Sequence, residues 1–109
     1  MGKKAAIPPE IKDEVERIVE EFNEQVLKDH GRYYLTRFRG RFLYLDRSDH
    51  SRIGPICRLE YTGSIDDWEF AIFKFSSGSY DSLDWFFPGS DLIDGTVEGA
   101  MKAGLEAYE

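Results

Sequence analysis

The stretch RYYLTRFRGRFLYLD (32–46) decides the architecture of this chain. Two ring-rich runs, RYYLTRF (32–38) and RFLYLD (41–46), flank Arg39-Gly40. A glycine between two such runs predicts a tight antiparallel hairpin. Downstream, RSDHSRIG (47–54) reads as a polar loop, and PICRLEYT (55–62) as a third strand with Pro55 confined to its first position. Residues 63–67 make a turn into a fourth strand, WEFAIFKF (68–75). SSGSYDSLD (76–84) reads as a loop, and Trp85-Phe86-Phe87 as a short fifth strand before Pro88-Gly89 turns the chain.

Helices are expected on either side of this meander. Pro8-Pro9-Glu10 suits a helix start, because the N–H that proline lacks is unpaired in the first turn. Ile11, Val15, Ile18, Val19, Phe22 and Val26 then form one apolar stripe, with Asp13, Glu14, Glu16, Glu20, Glu21 and Glu24 opposite. Lys28 and His30 suit the negative end of the dipole, and Gly31 supplies the stop. A last helix starts near Asp94, a good N-cap residue, and carries Val97, Met101, Leu105 and Tyr108 on its large apolar face. Its interior Gly99 and Gly104 require a close neighbour to offset their helix cost.

The expected fold class is α+β. It comprises an N-terminal helix, a four- to five-stranded antiparallel β-meander and a C-terminal helix, in two layers with both helices on one sheet face. The 109 residues fit one domain, with 1–7 as a flexible lead. Strand three alternates cleanly, Cys57, Leu59 and Tyr61 against Ile56, Arg58 and Glu60. Strand four does not, since Trp68, Phe70 and Ile72 oppose Ala71, Phe73 and Phe75. Both faces are therefore partly apolar. Either the sheet curls enough to cover both, or rings stand on an open face beside Arg37, Arg58 and Lys74.

Charge is dealt unevenly along the chain. From Lys28 to Arg58 there are eight cations against three acids, a net of +5 in a chain of net −7. Seven of those cations are arginines, interleaved with Tyr33, Tyr34, Phe38, Phe42 and Tyr44. Rings offer stacking platforms for unpaired bases, and arginine supplies phosphate contacts and guanidinium stacking. The candidate binding residues are Arg32, Arg37, Arg39, Arg41, Arg47, Arg52, Arg58, Tyr33 and Tyr44. The competing reading pairs these arginines with the molecule's own carboxylates, among them Asp66, Asp67, Asp81 and Asp84. The overall negative charge excludes a general polyanion binder and leaves only a local patch.

Other constellations are weaker. His50 among Asp46, Asp49, Arg47 and Arg52 could act as a base, alone or with Cys57, but a cysteine inside a strand is normally buried and inert. Two histidines and one cysteine match no metal-ligand spacing, and no cofactor motif is present. PGSDLIDGT (88–96) resembles a phosphate cradle only superficially, because it has no lysine and is ringed by acids. DSLDWFFPGS (81–90) sets three rings beside two acids, either a docking segment or a strand end under a helix. A lone cysteine, no apolar leader and no long apolar run predict a cytoplasmic protein without membrane contact. Sequence alone points to a non-enzymatic binding domain for RNA or single-stranded nucleic acid, or else to a protein-interaction or homodimerisation module.

Overall fold

In the computed structural model, which describes residues 6–83 and 86–108, an N-terminal helix α1 (Pro9–Phe22) precedes five strands. They are β1 (Arg32–Arg39), β2 (Phe42–Asp49), β3 (Arg52–Ser64), β4 (Asp67–Lys74) and β5 (Ser79–Asp81), followed by α2 (Val97–Ala107). The strands form one antiparallel meander in chain order, and both helices pack on the same face. This is the two-layer α+β arrangement that the apolar patterning predicts. The core between the layers includes Val15, Val19 and Phe22 from α1, and Val97, Ala100 and Met101 from α2. Tyr34, Leu43, Leu45, Cys57, Leu59, Phe70 and Ile72 meet them from the sheet.

The first helix departs from its expected stripe at the end. Residues Asn23–Leu27 form a wider π-helical turn, and the extra residue per turn rotates the register. Val26 is turned outward to 43% exposure while Leu27 enters the core. Asn23 uses its side chain at the sheet edge. Its Oδ1 accepts from the Tyr34 N–H at 2.8 Å, and its Nδ2 donates to the Tyr34 carbonyl at 3.1 Å. Residues 1–5 of the expected flexible lead lie outside the described residues. Ile7 is buried, with its N–H donating to the Gly40 carbonyl at 3.0 Å.

Three strand boundaries correct the sequence reading. The first hairpin turns on Gly40-Arg41, with Arg39 paired to Phe42 and Gly40 at φ 60°. The expected loop 47–54 does not exist. β2 and β3 run through it and turn at His50-Ser51, whose φ values of 53° and 77° are those of a mirror-image two-residue turn, here built without glycine. Pro55 sits inside β3 rather than at its start. Asp46 pairs with Pro55 and Leu45 with Cys57, so Ile56 is an extra residue, a β-bulge of the kind that tolerates a proline in a central strand. The bulge lets both Ile56 and Cys57 enter the core, whereas strict alternation set them on opposite faces.

The fifth strand is Ser79–Asp81. Trp85 lies outside the described residues. Phe86 is in no strand, and Phe87 stacks on Phe70 with ring centroids 5.8 Å apart. The α2 N-cap is Thr96, whose Oγ1 accepts from the Gly99 N–H at 2.9 Å. Asp94 supports it from two residues back, accepting from the Thr96 hydroxyl at 2.6 Å and from its backbone N–H at 3.1 Å. Gly104 meets the sheet closely. A Cβ there would stand 2.5 Å from Tyr34 Oη and 2.6 Å from Ile56 Cγ2.

Candidate binding face

The face of the sheet turned away from the helices is the candidate site. Strand alternation brings Tyr33, Leu35, Arg37 and Arg39 of β1 to it, with Phe42 and Tyr44 of β2 and Arg58 and Glu60 of β3. Glu69, Ala71 and Phe73 of β4 and Tyr80 of β5 complete it. No described helix crosses this face. It is covered instead by its own long side chains, whose apolar stems and flat heads lie over the rings.

Arg58 is its centre. Its guanidinium carbon stands 4.7 Å from the Phe42 ring centroid and 5.5 Å from that of Tyr80. Tyr44 and Tyr80, three strands apart, lean together until their ring centroids are 5.4 Å apart in an edge contact. The small Ala71 paired with Arg58 leaves room for this approach. Tyr80 also meets Phe73 at 5.1 Å. Arg37 lies over Tyr44 at 4.8 Å and forms a two-pronged pair with Asp46, Nε to Oδ2 at 2.6 Å and Nη2 to Oδ1 at 3.1 Å. The Asp46 hydrogen bond pushes the Arg37 guanidinium further toward its charged form, and partial burial pushes the Tyr80 phenol up. At the hairpin end, Arg41 donates from Nε to Glu60 at 2.5 Å and lies over Phe42 at 5.0 Å.

The expected site residues thus separate. Arg37, Arg39, Arg58, Tyr33 and Tyr44 share the outer face, with Arg41 in the adjoining turn. Arg52 stands exposed beside the His50-Ser51 turn. Arg32 falls on the helix side, half-buried against Asp49 at 3.3 Å. Lys74 alternates with Phe73 and so falls on the Ile72 side, away from the rings it was expected to join.

Arg47 is furthest from expectation, at 1% exposure. Every second residue of β2 faces the helices, and Arg47 is one of them. Its Nη1 donates to the Gly104 carbonyl at 3.2 Å and its Nη2 to the Tyr108 carbonyl, so the guanidinium caps the carboxyl end of α2. Nε donates to Asp49 at 2.9 Å. Tyr34 Oη, beside it, donates to the Met101 carbonyl at 2.7 Å, and burial pushes this phenol well up.

Charge on the outer face is nearly balanced: Arg37, Arg39, Arg41 and Arg58 stand against Asp46, Glu60 and Glu69. The expected +5 window therefore does not appear as one positive patch. Its carboxylate partners are Asp46, Asp49 and Glu60, acids of the same hairpins, and not the distant Asp66, Asp67 or Asp81. Among the described residues, Arg39, Arg52 and Arg58 have no ion-pair partner. Phe42, Phe73 and Tyr80 join the site although the sequence reading did not select them. Phe42 and Phe73 follow from period-two counting once the register is known, whereas Tyr80 gives no local strand signal.

Elsewhere the chemistry is sparse. Cys57 is fully buried and burial pushes its thiol far up, while His50 occupies an exposed turn, so the two form no dyad. Among the described residues no three His, Cys, Asp or Glu side chains converge on a point that could hold a metal. No described helix is long and apolar enough to cross a membrane. Compared with known proteins, the chain matches no protein-family model, no curated protein and no solved structure.

Proposed function

We propose that this chain is a small non-enzymatic binding domain of the cytoplasm whose contact surface is the outer sheet face, with RNA or single-stranded nucleic acid as its ligand. The carrying observation is Arg58, a guanidinium that has no carboxylate partner among the described residues and is set between Phe42 and Tyr80. Such a group offers a phosphate a charge and a base a flat partner at one point, and Arg39 adds a second cation along β1. The reading predicts weak, salt-sensitive binding, because few phosphates are neutralised on a nearly balanced face. Fluorescence anisotropy of a labelled oligouridine or oligothymidine tests it. Binding at low salt should decline as salt rises, and Arg39→Glu with Arg58→Glu should abolish it. Absence of binding at low salt removes this reading.

One observation favours a protein ligand instead. The rings of Phe42 and Tyr44 already carry guanidinium groups, so platforms that bases would use are occupied. Half-buried tyrosine and arginine on a near-neutral surface is also the composition of protein contact sites. Self-association that persists at high salt, with no oligonucleotide binding, marks this second case.

A further inference from the structure

Charged and apolar groups on the outer face are sorted by row. The row nearest the Gly40 turn runs Arg39, Phe42, Glu60 and Glu69 across β1 to β4. Arg39 and Glu69, at its two ends, are exposed, and among the described residues neither has an ion-pair partner. The middle row sets Tyr44 of β2 beside Arg58 of β3. At the far end, next to the His50-Ser51 turn, Tyr33 and Ile53 flank Ser48. Tyr33 is 46% exposed and Ile53 64%. Phe75, just past β4 and edge-on to Phe73 at 5.0 Å, is also 64% exposed and extends the apolar area there. Large apolar side chains gathered at one end of a sheet face that no described helix covers mark a contact surface.

We propose that a second copy of this chain covers the outer face, the two sheets stacking about a two-fold axis that runs along the strands between β2 and β3. This rests on the protein-ligand reading of the face and names its partner. Such an axis exchanges β1 with β4 and β2 with β3, and leaves each row opposite itself. Arg39 of each copy then stands over Glu69 of the other, so one complementary charge contact is made twice. Tyr44 of each copy meets Arg58 of the other, a ring against a guanidinium with no carboxylate partner among the described residues. The apolar end falls on the apolar end. An axis across the strands would instead lay Tyr33 and Ile53 on the charged row, so the pattern selects one orientation, and it is the aligned one in which sheets pack. The area also suffices. Five strands about 4.8 Å apart, most of them at least eight residues long at about 3.3 Å each, present a face of roughly 500 Å². Two copies together cover roughly 1,000 Å², the lower bound for a specific contact, which places the dimer in the micromolar range.

Sedimentation velocity over a concentration series up to about 0.5 mM, well above a micromolar Kd, tests this. The wild-type chain should dimerise. Ile53→Asp, at an exposed position, should leave the fold intact and weaken the dimer by about 30-fold. Arg39→Glu and Glu69→Arg each set like charges against one another twice, so either alone should weaken it by about 10-fold or more. The decisive arm mixes these two variants. In the mixed pair every new charge faces its opposite, so the equimolar mixture recovers a heterodimer, and the double variant Arg39→Glu with Glu69→Arg recovers a homodimer. A wild-type chain still monomeric at the top concentration, or a dimer indifferent to Ile53→Asp, overturns the proposal. A dimer that Ile53→Asp weakens but the charge exchange does not rescue overturns this arrangement and leaves the protein-ligand reading standing. Oligonucleotide anisotropy on the same samples keeps the readings apart. A nucleic-acid face loses binding with Arg39→Glu and gains it with Glu69→Arg; that pattern with a monomeric wild type removes the dimer and leaves nucleic-acid binding.

Discussion

Arg47 and Arg58 come from the same arginine-rich window, lie on neighbouring strands and end in opposite conditions. Arg47 is enclosed, and its donors reach two carbonyls of the α2 end and the Asp49 carboxylate. Arg58 lies on the other side of the sheet, beside two rings and, among the described residues, no carboxylate partner. One is a structural clasp between layers and the other a surface group. A cationic run in a sequence therefore need not become a cationic surface, because in a strand every second side chain is delivered to the opposite side.

Five variants break or sharpen this contrast. The largest effect is expected at Arg47→Met, which removes a buried guanidinium with its hydrogen bonds to the α2 end and leaves Asp49 with only Arg32; unfolding in urea should show a loss of about 3 kcal/mol. A loss below about 1 kcal/mol would show that the clasp is dispensable. Gly104→Ala comes next. The added methyl meets Tyr34 Oη and Ile56 closer than any real Cβ sits, so overpacking should outweigh the gain in helix propensity, for a net cost of about 1–2 kcal/mol at the denaturation midpoint.

Thr96→Ala should cost about 1 kcal/mol through the lost cap. It also removes the hydroxyl that holds the Asp94 carboxyl below the usual carboxylate range. A carboxylate depressed in the fold stabilises the protein at neutral pH, and that contribution is lost as pH falls through its folded value. Asp94→Asn should accordingly flatten the acid limb of a stability–pH curve. The smallest effect is expected at Arg58→Ala, about 0.5 kcal/mol or less by the same urea assay, since half-exposed cation–π contacts contribute little. A cost as large as that of Arg47→Met would erase the distinction between clasp and surface group.

Much of the architecture was legible because helix periodicity and ring-rich runs are local signals. Val15, Val19 and Phe22 announce their side of α1, and Gly40 announces the first turn. What was not legible depended on backbone geometry that no residue type dictates. His50-Ser51 adopts left-handed φ values without glycine, so a two-residue turn looked like an eight-residue loop. Pro55 suggested a strand start because the bulge that accommodates it is set by pairing with β2. The π-helical turn exchanged Val26 for Leu27 through one extra residue. The candidate site was legible in type, arginines among rings, but not in membership. Arg47 and Arg32 left it through strand parity, and Tyr80 entered through a three-residue strand in a run of serines and glycine.

The carboxamide of Asn23 has a consequence for what this sheet cannot do. β1 is a boundary strand, and at Tyr34 both of its outward main-chain groups are engaged by one side chain rather than by another strand. Asn23 thereby imitates a single residue of a sixth strand and ends the ladder where an incoming chain would otherwise zip on. A chain approaching β1 at Tyr34 should accordingly find its outward main-chain donor and acceptor already engaged.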